Sequence, residues 1–399
     1  MSFYESKPIA QPFAQRLRAL SLALLLLLIA APVLGEVFVM PTPDAGLQPR
    51  LVTSSDGSVH LLYFKKRLSA PSAREGNLYY REYLREERRF GLPVKVSSSA
   101  FDLQTFAIAR ASMAIGGDGR AHVIWYLPRE NRYYYSRSDS ERSQFEVQRS
   151  LVSDYVEGID AAADIAAEGD QVAVVWGAGA LSAEQERTVY ARFSDNNGES
   201  FSPEQRVGNT DLGACACCSL ATEFDARGRL SIAYRSAIGG VGRHMQWLTL
   251  YADSPSLATA NEALRGDYSP LQPLQEWEMS SCPLSTNDFA VDKNGALWAV
   301  FETAARIVRL KSGGAAEAVQ EPESETRQKN PSVAVAASGA VLTAWGEAIS
   351  HSKGGQLRAQ LTDENGDKID WTLDAQITIP NFSFPAAAAI SDDDFLLLW

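Results

Sequence analysis

A short hairpin pattern recurs seven times along the chain, and it constrains the fold more than any other feature of the sequence. Each copy has a strand of small residues, a turn containing Asp or Gly, and an apolar strand that ends in Trp, Tyr or Phe. Two short β-rich runs around such a turn are typical of a β-hairpin. The copies lie at residues 51–64, 112–126, 161–176, 220–234, 289–301, 332–345 and 386–399.

Further strand candidates between the copies, at residues 77–83, 132–136 and 187–193, raise each repeat to four strands. Four strands at this period predict the blade of a β-propeller. Convincing amphipathic helices are absent from the sequence, so α/β folds are excluded. We therefore predict an all-β chain in which residues 36–399 form one propeller domain of seven blades. Uneven spacing leaves six blades plus an extra hairpin as the alternative, and residues 36–40 are expected to help close the ring.

The charge balance restricts the partners of this domain. The formal net charge is -12 at pH 7, and no long run of basic residues occurs. Nucleic acids and anionic lipid surfaces select for basic patches. Neither is therefore expected to be a partner.

The N-terminal residues are predicted to direct export and not to be part of the fold. Lys7, Arg16 and Arg18 precede an apolar run over residues 19–34, which is typical of a signal peptide. We assign residues 1–35 to such a peptide, with a retained N-terminal anchor as the alternative, and that anchor would be the protein's contact with a membrane. Both assignments predict a periplasmic or extracellular protein whose cysteines face an oxidising compartment.

One turn between repeats carries a sharper signature at residues 194–201. It fits the pattern Ser-x-Asp-x-Gly-x-Thr-Trp through Ser194, Asn196, Gly198, Ser200 and Phe201. The turn resembles the Asp-box, or BNR repeat, of sialidases and related propellers, and residues 138–145 resemble a decayed second copy. In that family the Asp and Ser side chains satisfy turn amides and the aromatic residue packs into the blade. The resemblance implies a sialidase-like β-propeller, and it does not imply a particular chemistry.

A sialidase would need three arginines to clamp the sugar carboxylate, an Asp acid/base and a Tyr nucleophile activated by Glu. Arg50 and Arg235 lie at strand ends that suit two clamp residues. The family's Arg-Ile-Pro signature is missing, however, and no tyrosine follows Tyr268. We therefore expect these arginines to be structural. A glycoside hydrolase acting on sialic acid or another acidic sugar is the alternative function.

The cysteines are the sharpest pointer to function. Cys215, Cys217 and Cys218 fall within four positions, and Cys282 is the fourth cysteine of the chain. When two successive repeats are aligned on their turn aspartates, Cys215 and Cys282 occupy equivalent positions just before an innermost strand. Innermost strands surround the propeller axis. All four sulfurs are therefore predicted to lie together near the central channel.

Two interpretations of these cysteines remain open. A disulfide from Cys282 to one of the other three suits an exported protein, but the remaining two could then form only a tight local bridge of strained geometry. Alternatively, the cysteines form a soft-metal site for Cu(I) or Zn(II). His244, Met245 and Met279 would then be further soft donors.

The spacing of the cysteines also resembles that of one group of proteins. Cys-x-Cys-Cys leads into a strand that ends in Tyr234-Arg235, and Cys282-Pro283 follows at the start of the next repeat. This arrangement is similar to that of exported bacterial proteins described as sialidase-like. We predict a protein that binds a ligand or handles a metal at a Cys-rich surface. The partner would be a metal ion, a glycan or, for a scaffold with structural disulfides, another envelope protein.

Overall fold

The computed structural model describes residues 35–69, 74–103, 109–159, 163–252, 256–259, 264–270, 277–314, 316–319, 326–347, 350, 352–373 and 376–399. Apart from Gly35, the predicted signal segment lies outside these residues. Glu36–Trp399 forms one compact unit. Its described helical segments are 3-10 turns at Pro43–Ala45, Glu184–Glu186, Thr210–Leu212 and Leu257–Thr259. Among the described residues we find no helix with the length and apolar character needed to cross a lipid bilayer.

The strands of the described residues form seven separate sheets, and each sheet is one blade. Blade 1 contains β2 (Leu47–Thr53), β3 (Val59–Lys66), β4 (Glu75–Leu84), β5 (Arg89–Phe90), β6 (Val94–Lys95) and β7 (Phe101–Asp102). Blade 2 contains β8 (Ser112–Ile115), β9 (Ala121–Leu127), β10 (Arg132–Arg137) and β11 (Arg149–Ser150). Blade 3 contains β12 (Asp164–Glu168), β13 (Gln171–Ala178), β14 (Thr188–Ser194) and β15 (Gln205–Arg206).

The remaining four blades follow in chain order. Blade 4 contains β16 (Ala221–Phe224), β17 (Leu230–Arg235), β18 (Met245–Ala252) and β19 (Leu264–Pro270). Blade 5 contains β20 (Asn287–Val291), β21 (Leu297–Thr303), β22 (Arg306–Lys311) and β23 (Ala316–Ala318). Blade 6 contains β24 (Gln328–Val335), β25 (Val341–Glu347), β26 (Gly355–Thr362) and β27 (Thr378–Ile379). Blade 7 combines β28 (Ala386–Ala389) and β29 (Phe395–Leu398) with β1 (Val37–Met40).

The innermost strands close into a ring of seven. Strands β2, β8, β12, β16, β20, β24 and β28 each contact the next in this order, and β28 contacts β2. All seven predicted hairpins are present as the two innermost strands of a blade. The predicted all-β propeller with seven blades is therefore confirmed, and the alternative of six blades is wrong.

Two blades depart from the predicted four strands. In blade 7, β1 pairs with β29 in parallel, with Val37 opposite Phe395, so the expected contribution of residues 36–40 to closure is confirmed. In blade 1 the outer edge is divided into three short strands along β4. Pro93 lies between two of them. Proline has no N–H to continue a ladder, which accounts for this break.

The blades pack through apolar side chains that alternate along their strands. Val175 and Phe193 of blade 3, for example, are buried in one cluster with Leu230 and Leu248 of blade 4. Most of the aromatic residues that end the inner hairpins are buried, as expected for core positions. The polar residues of the innermost strands are left to line the central channel.

Buried charges cross the central channel. Arg50 of β2 forms a salt bridge with Asp288 of β20, four blades further along the chain. Arg110 donates from Nη2 to the backbone oxygen of Asn287 at 3.0 Å. Because buried ions need partners, these residues tie opposite blades together. The loops before the innermost strands lie at one end of the channel and the turns of the inner hairpins at the other.

Candidate metal centre at one end of the central channel

Short-range backbone contacts fix the loop that carries three of the cysteines. Gly213 ends the turn Thr210–Leu212 with φ +61°, and a Cβ there would lie 2.9 Å from Cα of Gln185, so only glycine fits. Two residues later, the N–H of Cys215 donates to the backbone oxygen of Arg235 at 2.9 Å. The N–H of Ser219 donates to the backbone oxygen of Ser285 at 3.1 Å. The last contact joins the loops that precede β16 and β20.

Three of the four cysteines converge in this joined pair of loops. Sγ of Cys215 lies 3.2 Å from Sγ of Cys218 and 3.7 Å from Sγ of Cys282. All three sulfurs lie within 4.8 Å of one another, and we call these three residues the thiol cluster. The predicted contact between Cys215 and Cys282 is present. Four sulfurs around a zinc ion at 2.3 Å would be about 3.8 Å apart, whereas a disulfide bond measures about 2.05 Å.

No disulfide joins the described cysteines, and their surroundings shift their pKa values in different directions. Burial alone would raise the pKa of Cys218, but hydrogen bonds with the other two thiols and the charge of Arg235 hold that pKa well below its usual value. Hydrogen bonding to Cys218, together with burial, raises the pKa of Cys215. The hydrogen bond with Cys215 acts to lower the pKa of Cys282, but interactions with Cys217 and Cys218 outweigh it and raise that pKa. Among the three cysteines of the cluster, Cys218 is therefore the one whose surroundings most favour the thiolate form.

Basic side chains surround these sulfurs. We call this set the cation shell, and it consists of Arg187, Arg235, Arg243, Arg327 and Lys329. All but Arg327 are almost fully buried. Arg187, Arg243 and Lys329 interact electrostatically with two cysteines each. Positive charge close to a cysteine favours thiolate over thiol.

Backbone oxygens and an aromatic ring hold the cation shell in place. Arg235 donates to the backbone oxygen of Arg243 at 2.7 Å and lies 4.8 Å from the ring centre of Trp277. Lys329 Nζ donates to the oxygen of Pro283 at 3.1 Å, and Arg327 Nη2 donates to the same oxygen at 2.8 Å. Because Pro283 follows Cys282, these two cations also fix the loop that carries the fourth cysteine.

Two carboxylates accompany the cation shell. Glu184 accepts from Arg243 at 2.6 Å through one oxygen and from the N–H of Ala216 at 2.8 Å through the other. It therefore connects the cysteine loop to the shell. Glu302 accepts from Arg327 at 2.6 Å and is completely buried, and burial raises its pKa.

The other predicted donors lie in different surroundings. Met245 is buried in the apolar cluster that contains Trp247 and Phe289, where its role is packing. His244 and Met279 are partly exposed, and their backbones complete the hydrogen bonding of the loop between β17 and β18. Cys217 is also partly exposed and interacts with Cys282. The described structure therefore assembles three sulfurs, with Cys217 beside them.

The two arginines that suit a sialidase clamp lie in separate networks. Arg50 is paired with Asp288 inside the channel, whereas Arg235 belongs to the cation shell at the thiol end and also donates to Ser285 Oγ at 3.1 Å. Both side chains are buried and bound to internal partners. The arrangement is one in which each arginine stabilises the fold.

The Asp-box residues form a compact turn between β14 and β15. Ser194 Oγ donates to Asn196 Oδ1 at 2.8 Å and accepts from the N–H of Gly198 at 2.9 Å. Asn196 Oδ1 also accepts from the N–H of Ser200 at 3.0 Å. Phe201 packs edge-on against Tyr135 of blade 2. The turn thus joins two blades at the rim, far along the blade from the channel strands.

The opposite end of the channel opens into a wide funnel of about 1250 Å³. The turns of the inner hairpins line it, and Arg50 and Glu223 contribute to its wall. Burial raises the pKa of Glu223 to about 8, although the charge of Arg50 opposes that shift. Glu223 is therefore largely protonated at neutral pH.

Sequence reasoning found the cysteines but missed most of the cation shell and both of its carboxylates. A signal for them exists in the strands. Lys329 lies in β24, where every residue except Val335 is buried, and Glu302 lies in β21, where every residue is buried. A charged residue inside a buried strand must be paired, so each of these positions indicates a polar site. The sequence alone does not tell which site they share.

Comparison with known proteins supports the fold. No family model matches the sequence, and no curated protein is similar to it. A protein of unknown function from Dyadobacter fermentans has the same fold with a TM-score of 0.50 and 10% identity, over 81% of this chain and 95% of that one. The chain is a seven-bladed β-propeller. At this identity the likeness extends to the fold and no further.

Two glycosidases match less closely. The α-L-arabinanase of Penicillium chrysogenum, solved with arabinobiose, has a TM-score of 0.46 and 10% identity over 83% of this chain and 98% of its own. The NanB sialidase of Streptococcus pneumoniae has a TM-score of 0.40 and 12% identity over 87% of this chain and 64% of its own.

Proposed function

We propose that this propeller is an exported protein that binds a soft metal ion, Cu(I) or Zn(II), through Cys215, Cys218 and Cys282. The observation that carries this proposal is the convergence of three sulfurs from two blades to within 4.8 Å of one another. Thiolates are the ligands that Cu(I) and Zn(II) prefer. Cys217 is a fourth sulfur at the exposed edge of the site, where an ion could enter.

The surroundings of the cluster support this role. A metal-thiolate centre carries negative charge that must be neutralised when it is buried, and the cation shell supplies positive charge. The loops are held by backbone hydrogen bonds on both sides, so the sulfurs keep their positions without a covalent link. The protein is proposed to have no sialidase activity, because Arg50 and Arg235 are each bound to internal partners and no tyrosine follows Tyr268.

Metal analysis and thiol titration test the proposal together. The full chain, expressed with its own N-terminal segment and isolated with and without reductant, should contain about one Cu or Zn ion per chain and no disulfide among the cluster cysteines. Recovery of two intact disulfides and no metal would refute it. Fractionation of the expressing cells tests the proposed export.

A fluorogenic sialoside tests the alternative function. We expect no fluorophore release above the background of a Cys215→Ser variant. Release that is lost on substitution of Arg235 would instead assign hydrolysis to this end of the channel.

A further inference from the structure

The cation shell carries more positive charge than its own carboxylates neutralise. Among the described residues, its five basic residues have two acidic partners, Glu184 and Glu302, which leaves three positive charges in excess. Buried charge without a counter-charge is costly. The neighbouring sulfurs are the groups placed to supply the missing negative charge.

Two shell nitrogens show that the internal pairing is incomplete. Arg235 Nε and Arg243 Nη1 are buried and have no hydrogen-bond partner among the described residues. Arg243 interacts electrostatically with Cys215 and Cys282, and Arg235 interacts with Cys218. The shell is therefore organised around the sulfurs as well as around its own acids.

The excess charge discriminates between metal ions. Three thiolates cancel three positive charges, and any bound ion then adds its own charge to the buried site. A monovalent ion leaves one uncompensated charge, whereas a divalent ion leaves two, and each added charge is repelled by the same cations. Three sulfurs also suffice for Cu(I), whereas zinc sites almost always have four ligands.

We propose that the cation shell makes the thiol cluster selective for a soft monovalent ion, Cu(I), over Zn(II), and that Lys329 is a specificity-determining residue of the site. This inference rests on the proposed function. Lys329 is almost fully buried, and it interacts electrostatically with Cys218 and Cys282. Its hydrogen bond goes to a neutral backbone oxygen, that of Pro283. Glu302 also interacts with Lys329, but Glu302 already accepts a hydrogen bond from Arg327, so Lys329 keeps positive charge that opposes a bound cation.

The test compares Cu(I) and Zn(II) affinities of the reduced full chain, with bicinchoninate and 4-(2-pyridylazo)resorcinol as competing chelators. The ratio of the two affinities is the useful quantity, because both ions displace the same thiol protons. Lys329→Met should shift the ratio toward Zn(II) by about tenfold or more, as expected for one charge a few ångströms from the ion. Lys329→Arg keeps the charge and should keep the ratio.

Lys311→Met is the matched control. Lys311 is paired with Asp292 within blade 5, and no cysteine is among its contacts in the described structure. It should leave the ratio unchanged. If Lys329→Met does not fold, Arg327→Met at the more exposed edge of the shell supplies the same test.

The outcomes separate the two proposals. A preference of the unaltered protein for Zn(II), or a ratio that stays constant in both the Lys329→Met and Arg327→Met variants, overturns the selectivity but leaves a metal site. Failure of the unaltered, reduced protein to bind either ion overturns the proposed function as well.

Discussion

The two ends of the central channel are built from the same seven strands, yet they differ in chemistry. At the funnel end, similar turns recur from blade to blade. Asp225 Oδ1 accepts from the N–H groups of Arg227 and Arg229, and Asp292 Oδ1 accepts in the same way from Asn294 and Ala296. At the thiol end, the loops of blades 4 and 5 carry cysteines and the surrounding side chains are mostly cationic.

This difference shows where the repeat is free to vary. A two-strand turn must satisfy its own amides with a short side chain, so its sequence is restricted. The loops that join one blade to the next have no such requirement, and they can acquire ligands and charges. The candidate site is accordingly found where the repeats differ, and four predictions test this contrast between the ends.

The largest effect is expected at the thiol end. The binding free energy of a structural zinc ion is about 10–16 kcal/mol, shared among its ligands. Removal of one thiolate in Cys218→Ser should therefore weaken metal binding on the order of 1000-fold. Chelator competition measures the change. Cys217→Ser is the matched control at the edge of the cluster and should lose less. Equal losses in the two variants would show that all four sulfurs bind equally, and no loss in either would contradict the site.

Arg50→Met tests the charges that separate the ends. Removal of one member of a buried ion pair leaves the other, Asp288, uncompensated and should lower the free energy of unfolding by about 3 kcal/mol. Denaturant unfolding of the metal-free protein measures this loss. Arg85→Met, which alters a solvent-exposed arginine of the funnel, should cost far less. A reduced metal affinity in Arg50→Met would show that the ends are not independent.

Glu223→Gln tests the funnel end through pH. The pKa of Glu223 is raised to about 8 in the folded protein, above its value of 4.5 in the unfolded chain. Its contribution to stability is therefore complete below pH 4.5 and is lost as the pH rises toward 8.

The variant should accordingly match the unaltered protein at pH 4.5 and exceed it by on the order of 2 kcal/mol near pH 6, since the difference grows by about 1.4 kcal/mol for each pH unit above 4.5. Unfolding curves across this range measure the difference. A constant difference at every pH would mean that the carboxyl ionises normally, and metal binding should be the same in both proteins.

The smallest effect is expected at the rim, away from either end. Asn196→Ala removes the oxygen that accepts from Ser194 and Ser200, which should cost about 1 kcal/mol of unfolding free energy. Asn196→Asp retains the acceptor and should cost less. If Asn196→Ala changed metal affinity, the site would depend on the blade as a whole and not on its loops.

The repeats and the cysteine positions could be read from the sequence because they are periodic. The Asp-Gly turns and aromatic strand ends recur, so the hairpins could be aligned. The alignment placed Cys215 and Cys282 at equivalent positions of two successive repeats. The contribution of residues 36–40 to the closure of the ring was also expected. The division of the outer edge of blade 1 was not, since short edge strands carry little periodic signal.

The sequence by itself determined the propeller, its seven inner hairpins and the proximity of two cysteine loops, because side chains alternate in and out along every strand and the alternation reveals the core. Only the tertiary structure decided which charges meet. Lys329 and Glu302 lie in different blades from Cys218, and Asp288 lies four blades from Arg50. Such contacts depend on ring closure, which brings residues together across distances that no local pattern encodes.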